Sequence, residues 1–182
     1  KLQDTMYAHN KYAVLVCLQG MDTSGKDSLI REVFKDFNAR GVVVHSFKVP
    51  TELELKHDYM WRHYIALPAR GKFGVFNRTH YENVLVTRVH PGYILGENLP
   101  NVKAVEDINE AFWDERFNQI NNFEKHIAEN GTLIFKFLAK EVLFNWNKPS
   151  LGFGEIFICD CYDYGLCGHC CSNGYCFGRN GQ

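Results

Sequence analysis

Gly20, Gly25 and Lys26 stand in a G-x-x-x-x-G-K spacing within QGMDTSGKDS, residues 19–28. Between a strand and a helix, this spacing turns successive backbone N–H groups into one concavity at a positive helix end, which is an anion site by geometry. Gly20, Thr23, Ser24, Gly25, Lys26 and Asp27 would form the cradle, and the Lys26 ammonium would reach the bridging and terminal oxygens of a phosphoanhydride. The bland reading is a tight glycine turn beside a solvated lysine. Asp27 stands where such loops place a magnesium-binding hydroxyl, but a carboxylate is itself a hard oxygen ligand. Asp22, inside the loop, is the more telling residue. A carboxylate beside phosphate is repulsive unless a cation lies between them or it accepts a proton from an attacking group. Its other reading is a turn-forming Asp bonded to its own backbone.

A second group lies in FNRTHYE, residues 76–82, where Asn77 and Arg78 end a strand. Open α/β folds bind ligands at that carboxyl edge; Arg78 could clamp phosphate and Asn77 could reach metal or water. Arg78 reads equally well as a surface arginine capping a helix. Arg88 and His90, on the helix behind, are further candidates whose default is a solvated face. His57 and His63 fit a helix face without an evident metal partner.

These residues need a particular frame. AVLVCL (13–18) is continuously apolar and β-branched, as in a strand buried on both faces of a parallel sheet. Leu29, Ile30, Val33, Phe34 and Phe37 recur at helical spacing after the loop, so that stripe is expected on the sheet. VVVHSFKV (42–49) predicts a second strand, and Thr51 with Glu54 a capping box opening a helix to about Leu67. KFGVFNR (72–78) predicts the third strand, 80–90 a short helix, 91–103 a loop, and TLIFKFL (132–138) the fourth strand. Ahead of that last strand, Ile108, Phe112, Ile120, Phe123 and Ile127 mark one face of a long helix ending at Asn130-Gly131. The alternation implies a parallel α/β sheet. LQDTMYAHNKYA reads as the end of a helix running into the first strand, and with Lys1 leading the chain the expectation is that the natural start lies upstream.

The 182 residues bound the chain to about one domain, and with 20 Lys and Arg intermixed with 21 Asp and Glu no global field draws it to nucleic acid or anionic lipid. With no apolar run near the roughly 20 residues that span a bilayer, and no leader, the expectation is a cytoplasmic protein. Of seven cysteines, Cys17 sits in the first strand and six (Cys159, Cys161, Cys167, Cys170, Cys171, Cys176) crowd the Gly- and Tyr-rich end. With His169 they suggest a metal site, yet C-x-x-C occurs once, at 167 and 170, without a second well-spaced pair, so zinc is disfavoured. Disulfides are disfavoured equally.

QGMDTSGKDS, FKVPTELELKHDYMWRHYIALPARGKFGVFNRTHYENVLVTRVHP and ERFNQINNFEKHIAENGTLIFKF together resemble the polyphosphate kinase 2 family, most of all its class that accepts AMP as well as ADP, over residues 2–138. That family's loop is G-x-D-x-x-G-K-D, so Asp22 and Asp27 follow its pattern. The resemblance implies a P-loop kinase-like, three-layer α/β fold that moves a phosphoryl group between inorganic polyphosphate and AMP, ADP or ATP with Mg2+, and a homo-oligomer in the intact family form. It implies that Asp22 assists metal binding or the acceptor, that Lys26 holds the transferring phosphates, and that Asn77 and Arg78 form the second motif, with Asn77 a further metal ligand. Tyr81, Glu82, Arg88 and His90 match family positions too. Lys48, Arg62, Arg70, Lys72 and Arg88 are candidates to track a long polyanion. The family continues into a basic, helical lid, whereas this chain departs after Phe137. Residues 139–182 therefore read as an atypical Cys/Gly-rich tail replacing the lid, with a reading-frame shift as the preferred explanation, and the core as truncated after the fourth strand. Another ATP-dependent P-loop kinase, or a phosphate-binding fold impaired in catalysis, are the alternatives.

Overall fold

The computed structural model describes residues 1–20, 24–139 and 156–158, with Ala139 and the last three by backbone alone. Asp22, Thr23 and the tail cysteines, with the metal site considered for them, lie outside the described residues.

Helix α1 (Leu2–His9) leads into β1 (Ala13–Gly20), followed by α2 (Lys26–Phe34) and β2 (Val42–Ser46). Two short helices, α3 (Glu52–Leu55) and α4 (Trp61–Ile65), precede β3 (Phe73–Asn77); α5 (Glu82–Val89), α6 (Gly92–Leu95) and the long α7 (Glu110–Glu129) precede β4 (Thr132–Ala139). The sheet order is β2-β3-β1-β4-β5, and the first four strands are parallel. Among the described residues the parallel strands are the four that the sequence predicts. Beyond it Ile156–Ile158 forms β5, antiparallel to Phe137–Ala139, a pairing that the Cys/Gly-rich composition does not announce.

Strand β1 is central because all of Ala13–Leu18 is buried, and its alternation serves two cores. Leu15 and Cys17 join Phe76, Ile134, Trp113, Ile120, Phe123 and Ile127 on the face covered by α4, α5 and α7. Val14, Val16, Leu18 and Val75 point the other way, onto Met6, Leu29, Ile30 and Phe34 of α1 and α2. Helix, sheet and helix make three layers. Each fully buried Leu, Val or Phe contributes about 1.5–3 kcal/mol relative to exposure, so the two faces of β1 anchor the fold.

Local chemistry explains three departures from the sequence expectations. The capping box forms as expected, with Glu54 N–H donating to Thr51 Oγ1 at 3.3 Å and Thr51 N–H to Glu54 Oε2 at 2.7 Å. That helix nevertheless stops after one turn, since Asp58 Oδ1 accepts the Met60 N–H at 2.9 Å and starts a new turn before α4. The loop expected at 91–103 contains one helical turn, α6, entered through Pro91 at a position where a missing N–H costs nothing. Val33 is exposed, because α2 meets the sheet through Leu29, Ile30 and Phe34 and ends at Phe34. At its far end α7 is set by Asn109, whose side chain accepts from Phe112 N–H at 3.2 Å.

One close approach fixes the path into β3: a Cβ on Gly74 would lie 2.9 Å from Pro68 Cδ, and the pyrrolidine ring cannot swing aside. Gly74→Ala is expected to lower the urea midpoint by an amount equivalent to roughly 1–3 kcal/mol. An unchanged midpoint would contradict this packing.

Candidate functional site

Parallel pairing brings the two sequence motifs to one edge. In the β1–β3 register Leu18 lies opposite Asn77, and the Arg78 N–H donates to Leu18 O at 3.1 Å. The carboxyl ends of β1 and β3 therefore lie side by side at one edge of the sheet. Gly25 caps α2 with φ of 78°, a left-handed conformation that glycine adopts without penalty.

Lys26 is 4% exposed and its Nζ donates to Gly20 O at 2.6 Å, so the ammonium is folded back to the end of β1. Across from it Asn77 Nδ2 donates to Asp27 Oδ1 at 2.7 Å and reaches Ser46 Oγ at 3.4 Å, tying β3 to the first turn of α2 and the end of β2. Asn77 Oδ1 is buried and accepts no hydrogen bond. Arg78 adopts φ of 58°, which in a non-glycine residue costs of order 1–3 kcal/mol and persists where surrounding contacts over-determine it. Those contacts are present: Gln19 Oε1 accepts from Thr79 N–H at 3.2 Å and Thr79 Oγ1 at 3.1 Å, while Gln19 Nε2 donates to Glu82.

The edge so built offers an ammonium, a guanidinium-bearing corner, a carboxylate and an unpartnered amide oxygen. Hard oxygen atoms of this kind suit a small divalent cation such as Mg2+, with Asn77 Oδ1 and the Asp27 carboxylate as the groups that would meet it. Among the described residues no group of three or more His, Cys, Asp or Glu side chains could hold a metal.

Other expected residues lie elsewhere. Arg88 Nη2 pairs with Glu110 Oε2 at 2.9 Å and its guanidinium carbon sits 5.8 Å from the Trp113 ring, so its contacts are to α7. His90 closes α5, with its ring 5.5 Å from Tyr93. Arg62, a candidate for tracking a polyanion, is buried instead: Nη1 donates to Lys48 O at 2.8 Å and lies 3.9 Å from Glu54. Arg70 and Lys72 precede the amino end of β3, with Arg70 reaching Lys11 O and Asn130 O, so they mark the edge opposite Asn77. Helix α4 turns Arg62 inward, and strand direction carries the other two to the opposite edge.

Beneath the Asn77–Arg78 corner is a buried polar cluster that the motifs do not reveal. Glu124 of α7, 2% exposed, accepts through Oε1 from Tyr81 Oη at 2.7 Å and stands 3.1 Å from His80 Nε2. Its Oε2 accepts from Lys136 Nζ at 2.7 Å, and Lys136 also donates to Tyr81 Oη at 3.0 Å. Burial would raise the Glu124 carboxyl, but the hydrogen bond from His80 and the charge of Lys136 outweigh it and bring it down to about 2. Cys17 is held protonated, chiefly by burial, with Glu124 adding to the effect. The signal for this cluster was periodic: Arg116, Ile120, Glu124 and Ile127 follow one helix face at spacings of three and four. Arg116 uses that face to pair with Glu97 at 2.7 Å beneath Tyr59, whose ring centre is 3.9 Å away. These groups edge a cleft of about 620 Å³ shared with Met60, Gln119 and Phe123, which includes none of Lys26, Asp27, Asn77 and Arg78.

The sequence model described as polyphosphate kinase 2 matches residues 1–140. An ADP-polyphosphate phosphotransferase of Rhodopseudomonas palustris is 47% identical over 136 residues, covering 75% of this chain and 46% of that protein. An AMP/ADP-polyphosphate phosphotransferase of Meiothermus ruber is 44% identical over 137 residues, again 75% of this chain and 46% of its own length. The crystal structure of a polyphosphate kinase 2 from Arthrobacter aurescens superposes with a TM-score of 0.66 at 34% identity, over 78% of this chain and 46% of that one. The chain spans about half the length of the curated relatives it matches.

His63 provides a check on the buried layer. It is fully buried, neither ring nitrogen has a partner, and burial, then His80 and Arg62, hold its pKa well below the ordinary 6.5. The unfolded chain therefore takes up the proton first, and stability falls as pH drops through about 6.5, by up to about 1.4 kcal/mol per pH unit. Denaturant titrations at pH 7.5 and 5.5 should show this loss in the native chain and a smaller one in His63→Leu. Equal losses would contradict a neutral, buried His63.

Proposed function

Because the chain belongs to the polyphosphate kinase 2 family, we propose that it moves a phosphoryl group between inorganic polyphosphate and AMP or ADP, at the carboxyl edge of β1 and β3. The observation that carries this reading is the convergence of Lys26, Asp27, Asn77 and Arg78 on that edge. A P–O bond to the donor chain breaks and one to a nucleotide phosphate oxygen forms. Such transfer asks the protein for positioning and charge neutralisation rather than for a covalent nucleophile.

In this mechanism the N–H groups of Ser24 to Asp27, at the start of α2, bind equatorial phosphate oxygens, with Gly20 and Thr23 completing the loop. Lys26 exchanges its hydrogen bond to Gly20 O for phosphate oxygens and balances the charge that shifts towards the donor oxygen. Arg78 neutralises the transferring group from the β3 side. Asp22, Asp27 and Asn77 would hold Mg2+, which when bound neutralises phosphate charge and orients the oligophosphate. Tyr81 and Glu82 support the corner from its helical side, while Arg88 and His90 act on substrate only where the contacts of Arg88 to α7 are exchanged for it. The reading further places the protein in the cytoplasm, as a homo-oligomer without nucleic-acid or membrane partners. No helix among the described residues is long and apolar enough to cross a membrane.

The test is magnesium-dependent formation of ADP and ATP from polyphosphate and AMP by this chain, beside Lys26→Ala and Arg78→Ala. Each variant should lose at least about 100-fold in kcat/KM. Transfer insensitive to Lys26→Ala, or transfer from ATP indifferent to polyphosphate, would contradict the reading. Phosphate binding without turnover would identify the chain as a binding fold alone.

A further inference from the structure

The Asn77–Arg78 corner is strained, and the residues that follow it are gripped from two sides. From β1, Gln19 Oε1 accepts both donors of Thr79, and Thr79 Oγ1 in turn accepts the Tyr81 N–H at 3.2 Å. From α7, Glu124 Oε1 meets His80 Nε2 and Tyr81 Oη, so one carboxylate oxygen engages two consecutive side chains. Thr79 and His80 are fully buried, and Tyr81 is 5% exposed. Water therefore has little access to substitute for these bonds, and the corner's geometry passes to the far helix through them.

A salt bridge to Lys136 could be the whole purpose of Glu124, since a buried ammonium needs a partner. The atoms divide otherwise: Lys136 takes Oε2, and Oε1 is given to His80 and Tyr81. We propose that Glu124 is a positioning residue for phosphoryl transfer, holding Arg78 and Asn77 in register with Lys26 through His80 and Tyr81. It touches no substrate. It keeps a left-handed arginine from relaxing away from the loop. This inference rests on the proposed function, and its test separates the two.

Two double variants both remove the charge pair, and one of them keeps an acceptor for His80 and Tyr81. Glu124→Gln with Lys136→Met keeps a carbonyl oxygen at the Oε1 position; Glu124→Leu with Lys136→Met does not. Amide hydrogen exchange of the full chain at residues 78–81 should be at least ten-fold faster in the leucine variant than in the glutamine variant, with residues 13–18 unchanged. Affinity for magnesium tripolyphosphate, the probe, should fall at least ten-fold between the same two variants, and the difference should vanish when Arg78→Ala is added to both. Tyr81→Phe, which removes one of the two bonds and keeps the ring, should raise exchange at 78–81 several-fold, and it stands in should the leucine variant fail to fold. Equal exchange together with Arg78-dependent binding of equal strength in the two double variants would overturn the positioning role alone. Tripolyphosphate that binds no variant, or binds independently of Lys26 and Arg78, would overturn the proposed function and with it the role in transfer.

Discussion

The parallel pairing that sets Leu18 beside Asn77 places everything else. It joins two chain segments more than fifty residues apart, and because both strands run the same way the end of β1, with Lys26 bonded to it, and the Asn77–Arg78 corner share one edge. A shift of one residue would turn the inward side chains of β3 to the wrong layer, so the two apolar cores enforce the register. Burial of Leu15 and Cys17 on one face and of Val14, Val16 and Leu18 on the other makes that slip expensive. Site geometry is thus a consequence of core packing. The hydrogen bond from Arg78 N–H to Leu18 O continues the ladder one step past the strand and carries the alignment into the corner itself.

The helical layer around α7 holds an unusual amount of buried charge for a core. Glu124 with Lys136, and Arg116 with Glu97, each place a full charge beneath the surface, where desolvation costs several kcal/mol per ion unless geometry and extra hydrogen bonds compensate. Both pairs have that compensation: Glu124 gains His80 and Tyr81, and Arg116 gains the faces of Tyr59 and Phe112. A hydrophobic replacement could serve stability equally well. What it could not supply is direction, since hydrogen bonds fix the orientation of groups that dispersion only holds nearby. The cluster lies under the strained corner, where orientation matters. The surface pair of Arg88 with Glu110 is solvent-screened and contributes little by comparison.

Much of this was legible in the sequence. AVLVCL announces a strand buried on both faces, the helical spacing from Leu29 announces the helix that follows it, and Thr51 with Glu54 announces a helix start that the structure contains. Where the reading stopped short, tertiary context had intervened. One turn after that start, Asp58 offers the backbone a side-chain acceptor, and a local bond outcompetes helix continuation. On α7 an apolar-stripe criterion selects Ile120, Phe123 and Ile127 and passes over Arg116 and Glu124, although both fit the same period, because a charged residue reads as solvated until its partner is known. Those partners, Glu97 and Lys136, reside on other elements. His63 has no evident partner in the sequence, and its burial without a hydrogen-bond partner follows from the packing of Phe76 of β3 and of His80 against its ring. Arg70 and Lys72 sit in a basic stretch of chain, but strand polarity sends that stretch to the edge opposite Asn77.

The central claim is that the carboxyl edge of β1 and β3, and not the cleft beside Arg116, receives the phosphate chain. The most direct measurement is a backbone amide NMR titration of the chain with magnesium polyphosphate. Shift changes concentrated at Ser24 to Asp27 and Asn77 to Glu82 are the result this account predicts. Changes confined to Tyr59, Glu97 and Arg116, with residues 24–27 and 77–82 unmoved, would contradict it.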